Sequence, residues 1–319
     1  MRRIVIFGTL ILFMIFIPSA QAQQKARISI ATGGTGGVYY PLGGAIASIL
    51  SKYVSTIEAT AEVTAASVDN CKLIGAMKAE LALTMTDAAQ DAFQGVGMFK
   101  GKIPLRTLCA IFPNSMHIVT VEGKGINTVL DLKGKRVSTG APGSATEVQA
   151  LRILEASGID PNKDLRREKL GASESAGALK DRKIDAYFWS GGYPTSSVTD
   201  LASTPGYKIK LIPHEDTIPK MREKYGKIYS KGTIPARTYA GQDSDIPVTW
   251  GWALLVCHEK MEEKMSYDII KTLFDRKAEL VTIHREAAHL SLDHQAEESP
   301  LPFHPGVIRY YSEKGLKIK

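Results

Sequence analysis

The sequence is poor in cysteine. Its 319 residues include three cysteines, Cys71, Cys109 and Cys257, and their spacing shows no disulfide framework. Cys109 and Cys257 lie within apolar, strand-like runs, so we expect both to be core residues. The redox state of all three cysteines stays open at this stage.

Motifs of known catalytic and metal sites are also lacking. There is no G-x-S-x-G nucleophile elbow, no H-E-x-x-H helix and no G-x-x-x-x-G-K-[ST] phosphate loop. The sequence therefore predicts a binding protein rather than an enzyme, with neither cofactor nor metal. Three histidines follow one another in steps of five, which turn by about 140° on a helix and separate consecutive members. We interpret these three as surface residues: His284, His289 and His294.

The charge distribution argues against a nucleic-acid partner. The chain has 40 Lys and Arg against 33 Asp and Glu, a net charge of +7. The basic residues are spread along the chain and form no stripe with interleaved aromatic residues, as a nucleic-acid surface requires. A modest positive field of this kind suits a small anion.

The first 22 residues have the pattern of a signal peptide. Arg2 and Arg3 precede an apolar run at residues 4–17, and Ala20-Gln21-Ala22 fits a cleavage site. The apolar run is too short and too interrupted to favour a membrane span. We therefore expect a soluble exported protein that is cleaved after Ala22. An uncleaved membrane anchor is the alternative.

A glycine-rich loop opens the predicted mature chain. The sequence GGTGG, from Gly33 to Gly37, follows an apolar run at residues 28–32 and shortly precedes Pro41. A strand, a glycine loop and a helix N-terminus together favour an anion site, because free N–H groups and the helix dipole point at the loop. The loop is no dinucleotide fingerprint, since the required third glycine falls at Tyr39. The simpler interpretation is a tight strand-to-helix turn.

Short strand-like runs alternate with longer helix-like runs, which indicates an α/β protein with parallel strands. In the first part we expect strands at residues 28–32, 59–64 and 81–84, each followed by a helix, at about 41–53, from 67 and from 87. In the second part we expect strands at 116–121, 135–138, 184–189, 208–212 and 248–258, with a helix at 145–156 and a polar region at 217–245.

These runs predict two α/β lobes that share one ligand cleft. The natural crossovers are residues 116–121 and 248–256. Lobe 1 is then residues 23–116 plus 253–319, and lobe 2 is residues 117–252, including both crossovers. Ligands of open α/β sheets bind beyond the carboxyl ends of the strands, so we expect the cleft to close about these crossovers.

Five strand-to-helix junctions carry small polar residues. Each has a structural interpretation, since Ser144 with Glu147 is typical of a capping box and Ser67 of an N-cap. Their concentration at one edge of the sheet favours recognition of a carboxylate by N–H and hydroxyl groups. None of the five contains an arginine. The junctions are residues 33–39, 65–70, 84–90, 139–147 and 188–194.

Nearly the whole mature chain resembles the TAXI family of TRAP-transporter solute-binding proteins. The resemblance rests on ATGGTGGVYYPLGGAIA and on LPFHPGVIRYYSEKGL. Between these it continues through APGSATE, IDAYFWSGGYP and IPARTYAGQDSDIPVTWGWALLV. It implies a periplasmic receptor with the two-lobed type II binding-protein fold, whose ligand is a small carboxylate such as glutamate, glutamine or a dicarboxylate. The implied partner is a TRAP permease driven by an ion gradient.

The resemblance also implies the ligand-binding residues, among which Asp87 would take a ligand ammonium. Arg237 stands where relatives often have a small residue, and its contact with ligand or with water stays open. A module that presents the ligand to a membrane sensor kinase is the alternative function. The implied residues are Thr35, Gly36, Gly37, Tyr39, Ser67, Asn70, Asp87, Ser144, Ala145, Thr146, Ser190 and Tyr193.

Overall fold

The computed structural model describes residues 25–318, so the predicted signal peptide lies outside the described residues. The ten strands in that range are β1 (Ala26–Ala31), β2 (Ile57–Glu62), β3 (Leu81–Met85), β4 (Leu105–Val121), β5 (Arg136–Ser138), β6 (Arg166–Glu168), β7 (Ala186–Gly191), β8 (Ile209–Leu211), β9 (Ser230–Ile234) and β10 (Ile246–His258). No helix between residues 25 and 318 is long and apolar enough to cross a membrane.

The same range contains ten α-helices, most of which lie between these strands in the chain. They are α1 (Tyr39–Tyr53), α2 (Ser67–Gly75), α3 (Thr86–Gln94), α4 (Ala145–Ala156), α5 (Ala172–Lys180), α6 (Ser196–Ala202), α7 (Ile218–Tyr225), α8 (Glu263–Asp275), α9 (Lys277–Ile283) and α10 (Pro305–Glu313). The sequence predicts the bounds of α4 correctly. It misses α7 and β9, which lie within the predicted polar region.

The strands form one continuous path in the order β2-β1-β3-β10-β4-β7-β5-β6. At one end β1, β2 and β3 run parallel, and at the other β5, β6 and β7 run parallel. Between them β4 and β10 are antiparallel to each other and to their outer neighbours. Strand β10 pairs with β3 of the first parallel group, and β4 pairs with β7 of the second. The result is a two-lobed α/β fold in which the lobes share two crossing strands.

The buried apolar residues form three clusters. The first contains Ile30 and Leu254, on strands at the lobe 1 end of the sheet. The second and third lie on the two sides of the lobe 2 end and contain Ile153 and Tyr187. The first turn of α4 packs into the first cluster through Ala145, whereas the rest of α4 packs into the second. Helix α4 therefore bridges the two ends of the molecule.

The cysteines and histidines of the sequence are placed as follows. All three cysteines are free and buried, which confirms the prediction of a core position for Cys109 and Cys257. The three histidines predicted to lie at the surface, His284, His289 and His294, are all partly exposed. His289 and His294 lie on short turns, and their rings also pack against the ring of Trp252. Within residues 25–318, no group of three or more His, Cys, Asp or Glu side chains is arranged to hold a metal.

A buried polar network joins α3 to lobe 2. The guanidinium of Arg152 on α4 donates to Asp91 Oδ2 over 2.6 Å and to the Tyr229 hydroxyl over 2.9 Å. The Tyr229 hydroxyl donates in turn to Asp87 Oδ2 over 3.1 Å. Burial raises the pKa of Asp87 from 3.8 to about 6, although the charge of Arg152 pulls in the opposite direction. Two acids thus share one buried cation.

We expect Asp87→Asn to stabilise the protein at pH 8. The folded state holds the Asp87 proton more tightly than the unfolded chain, so ionisation of Asp87 lowers stability. This loss of stability is absent below about pH 4, where Asp87 is protonated in both states, and complete above about pH 6. The free energy of unfolding should therefore rise by about 1–3 kcal/mol at pH 8 and by little at pH 4. Urea unfolding at several pH values measures it.

The control for this prediction is Asp91→Asn, which removes the charge of the carboxylate bonded to Arg152 over 2.6 Å. Breaking a buried ion pair leaves an uncompensated charge, so this variant should be less stable than wild type at pH 8. A gain from Asp87→Asn that is the same at pH 4 and pH 8 would contradict the assignment.

Candidate ligand-binding site

A cavity of about 360 Å³ lies between the two lobes. A volume of this order fits a small organic molecule. The wall from lobe 1 includes the glycine loop, and the wall from lobe 2 includes the starts of α4 and α5. The lining consists of residues 33–39, 63–67, 144–146, 170–174 and 189–191, together with Met85, Asn114 and Ala141.

The glycine loop crosses the cleft closely enough to touch lobe 2. The Ser196 hydroxyl donates to the carbonyl of Gly36 over 3.1 Å. A Cβ at Gly36 would lie 2.0 Å from Ser173 Oγ, and a Cβ at Gly37 would lie 2.8 Å from the indole of Trp189. Glycine is needed at both positions because side chains of lobe 2 approach the backbone closely, whether or not a ligand is present. The structure is therefore that of a closed cleft.

A second contact closes the cleft at the start of α2. The N–H groups of Val68 and Asp69 both donate to the carbonyl of Gly143, over 3.0 and 3.2 Å. No side chain caps α2, so a carbonyl from lobe 2 takes the place of an N-cap. These N–H groups are therefore used by the protein itself and are not free for a ligand.

Three other helices begin at the cavity with unused donors. The first two N–H groups of α1, α4 and α5 have no hydrogen-bond partner among residues 25–318. Each helix N-terminus carries about half a positive charge through the helix dipole. No Lys or Arg is among the lining residues, and Glu174 is the only charged side chain there. Among the lining residues, the groups that can attract an anion are therefore the backbone N–H groups.

The hydroxyl of Ser144 caps α4. It accepts from the N–H of Glu147 over 3.2 Å and donates to the carbonyl of Ala141 over 2.7 Å, so its proton is already used. The donors that α4 offers to the cavity are the N–H groups of Ala145 and Thr146. The Thr146 hydroxyl accepts from the N–H of Ser190 across the lining.

The floor of the cavity is formed by Tyr39, Ser67 and Asn114. Burial strongly raises the pKa of Tyr39, so this phenol is neutral at physiological pH. Asn114 Nδ2 donates to the Tyr39 hydroxyl over 3.3 Å, while Asn114 Oδ1 is buried without a partner. Ser67 Oγ accepts from the N–H of Met85 over 3.1 Å. The floor therefore contains a neutral amide with one group unused.

The cavity brings together nine of the sequence-predicted site residues. These are Thr35, Gly36, Gly37, Tyr39, Ser67, Ser144, Ala145, Thr146 and Ser190. Thr35 is exposed at the rim, while the three predicted serines are buried. Whether these groups contact a ligand stays a prediction.

Three predicted site residues lie outside the lining. The amide of Asn70 donates to the carbonyls of Thr32 and Leu83, both over 2.7 Å, and so joins β1 to β3. Asp87 is buried in the network with Arg152. Tyr193 packs in the third apolar cluster. Their polar character in the sequence therefore reflects structural hydrogen bonds and packing.

Several lining residues escape prediction. Asn114 lies within a long apolar strand and gives no motif signal. Ser173 and Glu174 lie at the start of α5, a helix that the sequence analysis does not assign. Arg237 is exposed and does not line the cavity, so its side chain faces water. Its backbone has a positive φ of 64°.

Three solved structures illustrate the similarity in fold. The periplasmic aliphatic sulphonate binding protein SsuA from Escherichia coli is 16% identical, with 90% of this chain and 82% of that chain covered and a TM-score of 0.50. A putative L-cystine ABC transporter protein from Listeria monocytogenes is 16% identical over 85% and 99%, with a TM-score of 0.50. An ancestral arginine-binding protein bound to arginine is 14% identical over 82% and 98%, with a TM-score of 0.52.

These similarities show the two-lobed α/β fold of periplasmic binding proteins, at identities too low to carry a ligand across. The sequence itself is more specific. A model described as the NMT1-like family matches residues 30–315, and the chain therefore belongs to the NMT1-like family.

Proposed function

We propose that this protein is a periplasmic solute receptor that encloses a small carboxylate between its lobes. The observation that carries the proposal is the meeting of three helix N-termini with free N–H groups and a glycine loop at one closed cavity. Backbone N–H groups at helix N-termini bind carboxylates without a cationic side chain. The proposed ligand is an amino acid such as glutamate or glutamine, or a dicarboxylate.

The electrostatics of the lining support an anion. A charge at one helix N-terminus is stabilised by about 0.3–1 kcal/mol at an exposed site, and by up to about 2 kcal/mol where it is partly buried. Three such termini act together here, and closure removes the water that would screen them. A carboxylate is then held without the arginine that the lining lacks.

Glu174 is the group we assign to a ligand ammonium, in place of Asp87. Asp87 is outside the lining and already bonded to the Tyr229 hydroxyl and the N–H of Ala88. Glu174 lies in the first turn of α5 at the cavity rim. It is exposed, so its contact with an ammonium is weaker than that of a buried pair.

Calorimetric titration tests the receptor function. The mature protein, unfolded and refolded to remove bound ligand, is titrated with glutamine, glutamate, 2-oxoglutarate and succinate. We expect at least one compound to bind with a Kd of about 10 μM or tighter, a free energy near −7 kcal/mol. Putrescine, which has no carboxylate, should not bind. Absence of binding by all four carboxylates would contradict the proposal.

The same titration checks Glu174. Glu174→Gln should weaken amino-acid binding about fivefold, as for a contact of about 1 kcal/mol, and leave 2-oxoglutarate unaffected. Glu168→Gln, an exposed glutamate outside the lining, is the matched control and should change neither.

Closure of the lobes depends on Gly37. An alanine there would place its methyl group 2.8 Å from the Trp189 ring of lobe 2, so we expect Gly37→Ala to hold the cleft partly open. Ligand affinity should fall by at least about tenfold, since the lobe 2 donors no longer reach the ligand. Small-angle scattering with saturating ligand should show a larger radius of gyration than for wild type.

Gly34→Ala is the control for this substitution. It lies in the same loop, yet a Cβ there meets nothing within 4 Å. Its scattering with ligand should match that of the wild type. Equal compaction of both variants would show that the contact between Gly37 and Trp189 does not limit closure.

The proposed partner is a TRAP permease, as the TAXI resemblance implies. We propose that the protein reaches this permease after export and cleavage of the signal peptide after Ala22. One protein of similar fold is a putative L-cystine ABC transporter protein, and ABC transporters use ATP where TRAP permeases use an ion gradient, so the energy source separates the two classes. In proteoliposomes that contain a TRAP permease from the same organism, uptake should require this protein and an ion gradient but no ATP. Uptake that requires ATP would contradict the TRAP assignment.

The alternative partner is a membrane sensor kinase. A bound, closed receptor presents the same surface to either partner, so the cleft does not separate the two functions. A histidine kinase gene next to this one, with no permease gene nearby, would favour sensing.

A further inference from the structure

Asn114 is the most unusual polar residue of the cavity. It lies on β4, the strand that crosses between the lobes, and only 1% of its surface is exposed. One half of its amide is bonded to the Tyr39 hydroxyl, and the other half has no partner within residues 25–318. An unpaired buried polar group destabilises the protein, because it has lost its hydrogen bonds to water without replacing them. A group that lines a ligand cavity is satisfied when the ligand supplies the missing partner.

The surroundings of Asn114 disfavour a second negative charge. Tyr39 is neutral, and Phe112 packs edge-on against its ring. The negative charge of the buried Asp87 reaches Tyr39, where it further raises the pKa of the phenol. No Lys or Arg is among the lining residues to pair with an anion at this depth. A carboxylate at the floor would be desolvated without a counter-charge.

The N–H groups that would hold the ligand carboxylate lie at the starts of α1, α4 and α5, and the ammonium site at Glu174 lies at the rim. Asn114 lies on β4 at the floor. A ligand held by its carboxylate at the starts of α4 and α5 then has its other end available to Asn114. The group of the protein at that end of the ligand is the neutral amide of Asn114.

We propose that Asn114 is the specificity-determining residue of this cavity and selects a ligand whose far end is a neutral carboxamide or hydroxyl. The inference rests on the proposed receptor function and narrows its ligand class. Monocarboxylates with such an end are preferred over the corresponding dicarboxylates. Among the amino acids named above, glutamine binds and glutamate is discriminated against.

The observed orientation of the Asn114 amide favours a carboxamide or hydroxyl over a carboxylate. With Nδ2 bonded to Tyr39, the free Oδ1 accepts from a ligand amide or hydroxyl, whereas a carboxylate has no hydrogen to donate. With the amide turned over, the free Nδ2 donates to an amide carbonyl or to a carboxylate, and only the missing counter-charge then disfavours the acid. A carboxamide has both a donor and an acceptor, so it satisfies both arrangements.

Calorimetry with matched pairs tests the proposal. The refolded wild-type protein is titrated with glutamine and glutamate, and with asparagine and aspartate. We expect the amide of the better-binding pair to bind at least about tenfold more tightly than its acid, since a site with an unpaired polar group discriminates strongly between partners. Glutamate or aspartate binding as tightly as its amide would overturn the proposal.

The variant Asn114→Leu keeps a side chain that branches at the same carbon and has no amide. This variant should bind the amide ligand more weakly. The affinities for the amide and for its acid should then differ by no more than about threefold, because the group that distinguishes the two ligands is gone. A purely structural role would lower both affinities and leave their ratio unchanged, which would overturn the proposal. Asn127→Leu, at an exposed asparagine outside the lining, is the matched control and should keep the wild-type ratio.

The two proposals fail in different ways. Binding of a dicarboxylate in preference to its amide overturns the role of Asn114 and leaves the receptor function intact. Absence of binding by all four amino acids and by the keto and C4 acids overturns the receptor function, and the selectivity with it.

Discussion

The pairing of β4 with β10 is the constraint on which the rest of the structure depends. The two strands pair with each other. Strand β10 also pairs with β3 of lobe 1, and β4 also pairs with β7 of lobe 2. They fix the two lobes side by side, and the parallel strands of each lobe end at the shared cleft. Helices α1, α4 and α5 therefore begin there, and Asn114 on β4 lies beneath them. The position of the cavity follows from strand topology.

In this site, backbone groups and basic side chains have separate roles. Backbone groups supply the donors, and the basic side chains remain elsewhere, as in the buried bond between Arg152 and Asp91. A guanidinium in the lining would hold any carboxylate, including a second one at the floor. Helix N-termini are fixed in place and leave the floor uncharged. A site of this kind separates the recognition of charge from the recognition of the rest of the ligand.

Much of the fold is predictable from the sequence, and less of the site is. Local signals are strong where they coincide, as in Ser144 and Glu147 at the start of α4, whose cap is present. The first half of β4 is missed because Pro113 interrupts its pattern. Asn70 and Asp87 are polar residues at the right junctions, yet their partners are remote in sequence. Asn114 gives no local signal, because only the sheet register places it under the cavity.

The carbonyl of Gly143 has a consequence for the energetics of motion. When the cleft opens, the N–H groups of Val68 and Asp69 exchange this carbonyl for water, and the carbonyl is hydrated too. The exchange of one set of hydrogen bonds for another changes the free energy little. Breaking this one contact therefore contributes little to the free-energy difference between an open and a closed cleft. The contact of the Gly143 carbonyl with Val68 and Asp69 therefore fixes the geometry of the closed cleft without strongly favouring closure.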